Sequence, residues 1–127
     1  MGALALLLSL GGCAKQIGDS CQSAFDCSSQ GERDCDISQP GGYCTIQGCD
    51  PDTCPDGARC VRWRGFLART AQRWCMQSCG KDSDCRGDYT CRAAVDIRDN
   101  DGQVLAEVLD SGRAEAKFCI AGPRDAP

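Results

Sequence analysis

Cysteine is the residue with the most chemistry to offer in this chain, and it occurs thirteen times in 127 residues. A thiol can be acylated, joined to another thiol or bound to a metal, and spacing separates these uses. Cys13 stands by itself at the end of a short apolar leader. The other twelve, Cys21, Cys27, Cys35, Cys44, Cys49, Cys54, Cys60, Cys75, Cys79, Cys85, Cys91 and Cys119, spread through the rest of the chain. Twelve is even, so six disulfides are expected. Zinc sites favour C-x2-C pairs. None exists here, the nearest being Cys75-Met-Gln-Ser-Cys79, so neither a metal nor a thioredoxin-like redox motif is expected.

Histidine is absent. That removes the commonest general base, along with the Cys-His and Ser-His-Asp nucleophile arrangements. Aspartates are plentiful, but they lie in turns between cysteines. The run Asp99-Asn100-Asp101-Gly102 has the look of a calcium loop. With Gly102 in the glycine position, Ile97 and Val108 would occupy the first and twelfth ligand positions, so the required oxygens are missing. The clusters Asp50/Asp52/Asp56 and Asp82/Asp84/Asp88 read as solvated turns. No catalytic residue, metal or cofactor is expected, and the chain is not expected to be an enzyme.

Arginine and tryptophan supply the remaining chemistry. The net charge is −4, yet Ala58 to Gly80 contains no acid and five arginines. Arg62, Trp63, Arg64, Phe66, Arg69, Arg73 and Trp74 form a candidate binding surface, because Arg and Trp dominate protein-binding hot spots. Guanidinium forks also suit anionic polymers of a cell envelope. In the competing reading, Trp63 and Trp74 meet across a hairpin as core, and the arginines pair with the Asp-rich turns. Arg62 or Arg64 could also serve a protease inhibitor as its specificity residue on a rigid loop. There is no general basic character, so no nucleic-acid partner is expected.

These groups need a scaffold, and composition dictates its kind. The chain has three Phe, two Trp and two Tyr against fifteen Gly. So thin a core makes a small disulfide-rich protein of short β-hairpins and loops, with little helix. Residues 21–120 form the cysteine-rich domain, in one piece or in two lobes of about 21–60 and 61–120. Residues 13–20 form a short tether and 121–127 a tail. Val61-Arg62-Trp63-Arg64 alternates like a half-exposed strand. Gln72 to Cys75 would be its return, making Cys60 to Cys75 a hairpin. Alternating runs on either side of Asp99–Gly102 predict a C-terminal hairpin or three-strand meander ending at Cys119. Bridges are expected to stay local, with Cys119 tied back to the Cys79–Cys91 region. Two spacings recur. Cys21–Cys27 and Cys79–Cys85 both end in Asp-Cys, and Cys54–Cys60 and Cys85–Cys91 both read C-x5-C around a Gly/Asp turn. They suggest an internal duplication, or two knots built alike.

Ala3 to Leu10 is too short to span a bilayer, which takes about 20 residues, and suits the h-region of a signal peptide. Leu10-Gly11-Gly12-Cys13 resembles the lipobox of bacterial lipoproteins. That resemblance implies a leader over 1–12 and a diacylglyceryl group on Cys13, mooring the chain in a membrane. No Lys or Arg precedes the apolar run, which points to a start upstream of Met1. Ordinary secretion is the alternative, and would leave an odd cysteine outside the cell. With Gly41-Gly42-Tyr43-Cys44, Cys54-Pro-Asp-Gly-Ala-Arg-Cys60 and Asp84-Cys-Arg-Gly-Asp-Tyr-Thr-Cys91, the whole chain resembles small cysteine-rich lipoproteins of myxobacteria and their relatives. The resemblance implies a place in the bacterial cell envelope, at the outer membrane, facing periplasm or cell surface. The expected role is a non-enzymatic binding or structural module, with a protein or an anionic envelope polymer as partner.

Overall fold

The computed structural model describes residues 15–64 and 72–122. Cys13 and its leader, Phe66 and Arg69 lie outside the described residues, so the lipidation expectation and part of the binding expectation fall there. A four-residue helix, α1 (Ala24–Cys27), precedes seven strands: β1 (Asp34–Cys35), β2 (Cys44–Thr45), β3 (Ala58–Trp63), β4 (Gln72–Cys79), β5 (Tyr89–Ala93), β6 (Ala106–Val108) and β7 (Lys117–Ala121). β1 and β2 form a small ribbon, and the other five make an antiparallel sheet in the order β5-β7-β4-β3-β6. This is a small disulfide-rich β protein. No helix among the described residues is long and apolar enough to cross a membrane.

The six disulfides follow one rule applied three times. Cys21–Cys35 and Cys27–Cys44 cross within the first four cysteines. Cys49–Cys60 and Cys54–Cys75 cross within the next four. Cys79–Cys91 and Cys85–Cys119 cross within the last four. In each quartet the first cysteine joins the third and the second joins the fourth. The third and fourth also face each other across an antiparallel pair, as Cys35↔Cys44, Cys60↔Cys75 and Cys91↔Cys119.

The local turns repeat too. In each quartet a turn directly after the second cysteine is closed by the same backbone bond: Gly31 to Ser28, Ala58 to Pro55 and Tyr89 to Arg86. Ahead of that cysteine, the Asp26 carboxylate accepts from the N–H of Gln22 and Ser23, and Asp84 accepts from Gly80 and Lys81. Those backbone donors hold both carboxyls below the usual aspartate range. Thr53 takes the place in the middle quartet, accepting from the Asp50 N–H. The pattern expected twice therefore occurs three times. The recurrence is hidden in the sequence because Thr53 replaces the aspartate in the middle quartet and the Cys91–Cys119 segment is long in the last.

Strand alternation gives the sheet two unlike faces. One carries Cys60, Cys75, Cys119 and Tyr89, and packs with Ile17, Tyr43, Cys49 and Cys85 into a sulfur-rich core. The other carries Val61, Phe118, Ala106 and Val108, which meet Ala94 and the half-buried Trp63, Met76, Ile97 and Ile120.

Two details depart from the sequence reading, and a third concerns a glycine. The tether stops short of Ile17, which is 4% exposed, because Gly18 and Asp19 hydrogen-bond to both sides of Cys44 and draw that side chain into the core. The Asp99–Gly102 turn forms, but pairing around it is one bridge, Arg98↔Val104. A short 3-10 helix (Ala94–Asp96) ends the preceding strand, and β6 pairs with β3 instead, where Ala106 and Val108 cover the core face. Finally, Gly42 is required by more than a turn. Its φ is +73°, and a Cβ there would lie 2.0 Å from the Cys21 carbonyl oxygen.

Asp110 joins the second and third quartets. It is 6% exposed, accepts from the Asp52 N–H at 2.8 Å and the Cys60 N–H at 3.4 Å, and lies 3.8 Å from the Arg59 guanidinium. Asp52 answers by accepting from the Ser111 N–H and hydroxyl. Asp110→Ala strands these donors and is expected to lower stability by about 2 to 3 kcal/mol, measured by chemical denaturation. A loss below about 0.5 kcal/mol, the size of an ordinary surface change, would show that the clamp is ornamental.

Candidate functional site

β4 has two different neighbours along one edge. At one end it pairs with β7 through Ser78↔Phe118 and Cys79↔Lys117. At the other end Ile46–Gly48 takes over: the Cys75 N–H donates to Ile46 and the Gly48 N–H to Arg73. The edge N–H of Gln77 lies between them and donates to the Tyr43 hydroxyl at 2.8 Å. Beside this junction opens a groove of about 520 Å³.

Trp63, Trp74, Met76, Ile97 and Ile120 give it an apolar lining from the sheet side. Asp36, Ser38, Gln39, Tyr43 and Thr45 form a polar wall from the first quartet, and Gln72 and Ala121 complete the rim. Both tryptophans of the chain thus reach one groove. The register explains why: Val61 faces Trp74 and Trp63 faces Gln72, so the two indoles share a sheet face on a diagonal. Trp63 is braced edge-on against Phe118, with ring centroids 5.8 Å apart. The Trp74 indole N–H donates to the Gln72 amide at 3.1 Å. Asp36 is held by the loop it closes, its carboxylate accepting the Ser38 N–H. It is the one charged group among the described lining residues.

The described arginines of the candidate surface, Arg62, Arg64 and Arg73, are not among the residues that line the groove. Arg62 and Arg73 face each other on the opposite side of the β3–β4 ribbon from the tryptophans. Arg62 pairs with Glu107, and Arg73 with Asp50 at 2.9 Å. Arg64 is exposed, and its N–H donates to Leu105. Trp63 and Trp74 therefore come together with each other, but not with Arg62 or Arg73. Arg62 also lies within a strand paired on both sides, which is no place for the specificity residue of a protruding inhibitory loop.

Tyr43 is the most constrained polar group of the site. Its hydroxyl donates to the Cys119 carbonyl at 3.2 Å while accepting from Gln77. Burial pushes its phenol far above the ordinary value. Burial raises Tyr89 too, although the Arg86 guanidinium, 4.6 Å from its ring centre, opposes the shift.

Four of the six aspartates in the two turn clusters are engaged by the protein itself. Asp50 holds Arg73, Asp52 holds Ser111, Asp82 accepts from the Cys91 N–H, and Asp84 caps its turn. Three groups of sulfurs lie within 4.8 Å of one another, but every one is spent in a disulfide. Sequence reasoning missed the polar wall, whose residues come from a loop with no periodicity. Tyr43 alone carried a signal, as the aromatic directly after a double glycine and before a cysteine. No known protein family, curated protein or solved structure matches the chain.

Proposed function

We propose that this chain is an exported, non-enzymatic binding module of the bacterial cell envelope, moored through lipid on Cys13, and that its groove takes an uncharged glycan strand. The observation that carries the reading is the convergence of both tryptophans on one half-open groove with a hydrogen-bonding wall. Pyranose rings present an apolar C–H face edged by hydroxyls. Flat indoles match the first, and Asp36, Ser38, Gln39 and Gln72 match the second. An anionic polymer would meet Asp36, with no cation among the described lining residues. Six disulfides support an oxidising compartment outside the cytosol.

Tryptophan fluorescence reads the site directly, since both reporters lie in it. Titration with soluble, uncharged chito-oligosaccharides is expected to shift the emission saturably. Trp74→Ala, whose ring belongs to neither core cluster, is expected to weaken binding at least about tenfold. Arg62→Ala and Arg73→Ala are expected to leave it unchanged. If the arginine variants lose binding while Trp74→Ala keeps it, the ligand is an anion and this assignment fails.

A further inference from the structure

Every one of the six bridges skips a cysteine. Within each quartet the first sulfur passes over the second to reach the third, and the second passes over the third to reach the fourth. Oxidation of an emerging chain favours the opposite order, because the nearest free thiols meet first and short loops close at least entropic cost. Cys21 would then join Cys27, and Cys35 would join Cys44. We infer that this protein is an obligate client of a thiol–disulfide isomerase. A dithiol oxidase alone delivers it mispaired, and exchange within each quartet produces the native form.

The exchange balances without any net oxidant. An isomerase thiolate attacks the sulfur of Cys21 in the Cys21–Cys27 bridge, forming a mixed disulfide and releasing Cys27 as thiolate. Cys27 attacks Cys44 in the Cys35–Cys44 bridge, forming the native Cys27–Cys44 bond and releasing Cys35. Cys35 then attacks Cys21 in the mixed disulfide, completing Cys21–Cys35 and expelling the isomerase thiolate unchanged. The folded geometry favours this relay. The sulfurs of Cys21, Cys27 and Cys44 lie within 4.8 Å of one another, and the first, second and fourth cysteines of the other two quartets are grouped in the same way. Exchange partners are thus neighbours inside each quartet. The proposal rests on oxidation outside the cytosol, but not on lipid attachment or on the groove.

The test is refolding of the reduced full chain carrying Cys13→Ser, so that only the twelve bridge-forming cysteines are present, with a strongly oxidising dithiol oxidase, with and without a catalytic disulfide isomerase. Bridges are read by peptide mapping without reduction. Four cysteines allow three pairings, so unbiased pairing inside three separate quartets gives the native map in about one molecule in 27. With oxidase alone, the neighbour bridges Cys21–Cys27 and Cys35–Cys44 are expected to dominate, and isomerase is expected to raise the native map on the order of tenfold. An equal native yield without isomerase would overturn the proposal. So would mispairing that runs freely between quartets. If the refolding result holds while Trp74→Ala leaves glycan binding unchanged, the groove reading fails and this one survives, whereas free thiols among the twelve cysteines in protein from its own host would overturn both the envelope reading and this proposal.

Discussion

Replacing Cys85 and Cys119 together by alanine is expected to lower stability by about 4 kcal/mol, the largest loss for removing any one bridge. The bridge spans a sequence separation of 34, the longest of the six, and encloses β5, β6 and the start of β7. In the chain-entropy account, cross-linking restricts the unfolded chain more as the closed loop lengthens. The Cys49–Cys60 bridge, at a separation of 11, is worth about 3 kcal/mol on the same scale. Both cysteines of the long bridge are buried, so alanine also leaves a small void. A single replacement would mix this loss with mispairing of the freed thiol, which is why both cysteines change. Denaturant unfolding of the two double variants without reductant decides the matter. If the Cys49/Cys60 variant loses as much or more, loop length does not govern stability here. A loss of 4 kcal/mol is a large part of the 5 to 15 kcal/mol typical of a whole domain.

The parts of this fold legible in the sequence are the parts that cysteine spacing controls. Five residues around Pro-Asp-Gly between Cys54 and Cys60 demand a turn, and a turn forms there. Alternation around Trp63 demands a strand, and β3 carries it, with Cys60 opposite Cys75 as the hairpin predicts. The tie from Cys119 back toward Cys79–Cys91 is the Cys85–Cys119 bridge. Long-range order was not legible. β6 pairs with β3 across more than forty residues, and no local pattern records that choice. The candidate site divides along the same line. Strand period places Trp63 and Trp74 on one face, but it equally sends Arg62 and Arg73 to the other, so adjacency in sequence was misleading. The polar wall from Asp36 to Thr45 reaches the groove only through the packing of the first quartet on β4.

That packing has no covalent help. Each disulfide closes within its own quartet, so noncovalent contacts alone hold the three quartets to one another beyond the continuity of the chain. Tyr43 stands at their meeting point. It belongs to the first quartet, accepts from Gln77 between the second and third, and donates to Cys119 in the third. Its ring tilts against Tyr89 at 5.4 Å, and the Tyr89 hydroxyl donates back to Pro40 at 2.7 Å. Arg86 also reaches from the third quartet to the Gly42 carbonyl.

Tyr43→Phe keeps the ring but leaves the Gln77 N–H and Cys119 carbonyl unsatisfied, and is expected to cost about 2 kcal/mol. Tyr43→Ala also opens a cavity at a 2%-exposed position, for a total of about 4 to 5 kcal/mol. Hydrogen exchange should show where the loss falls, with protection dropping at Gln77 and along β2 before β5. The same residue sets an alkaline limit. The folded state keeps the Tyr43 proton above the ordinary value of 10.0, while the unfolded chain releases it there. Stability is therefore complete below about pH 10 and falls as pH rises beyond it. Tyr43→Phe should flatten that fall, leaving the smaller slope due to Tyr89. Unfolding midpoints from pH 8 upward that run parallel in the two proteins would show that Tyr43 is not the group that titrates. A Phe variant as stable as the parent at neutral pH would show that the quartets are held together elsewhere.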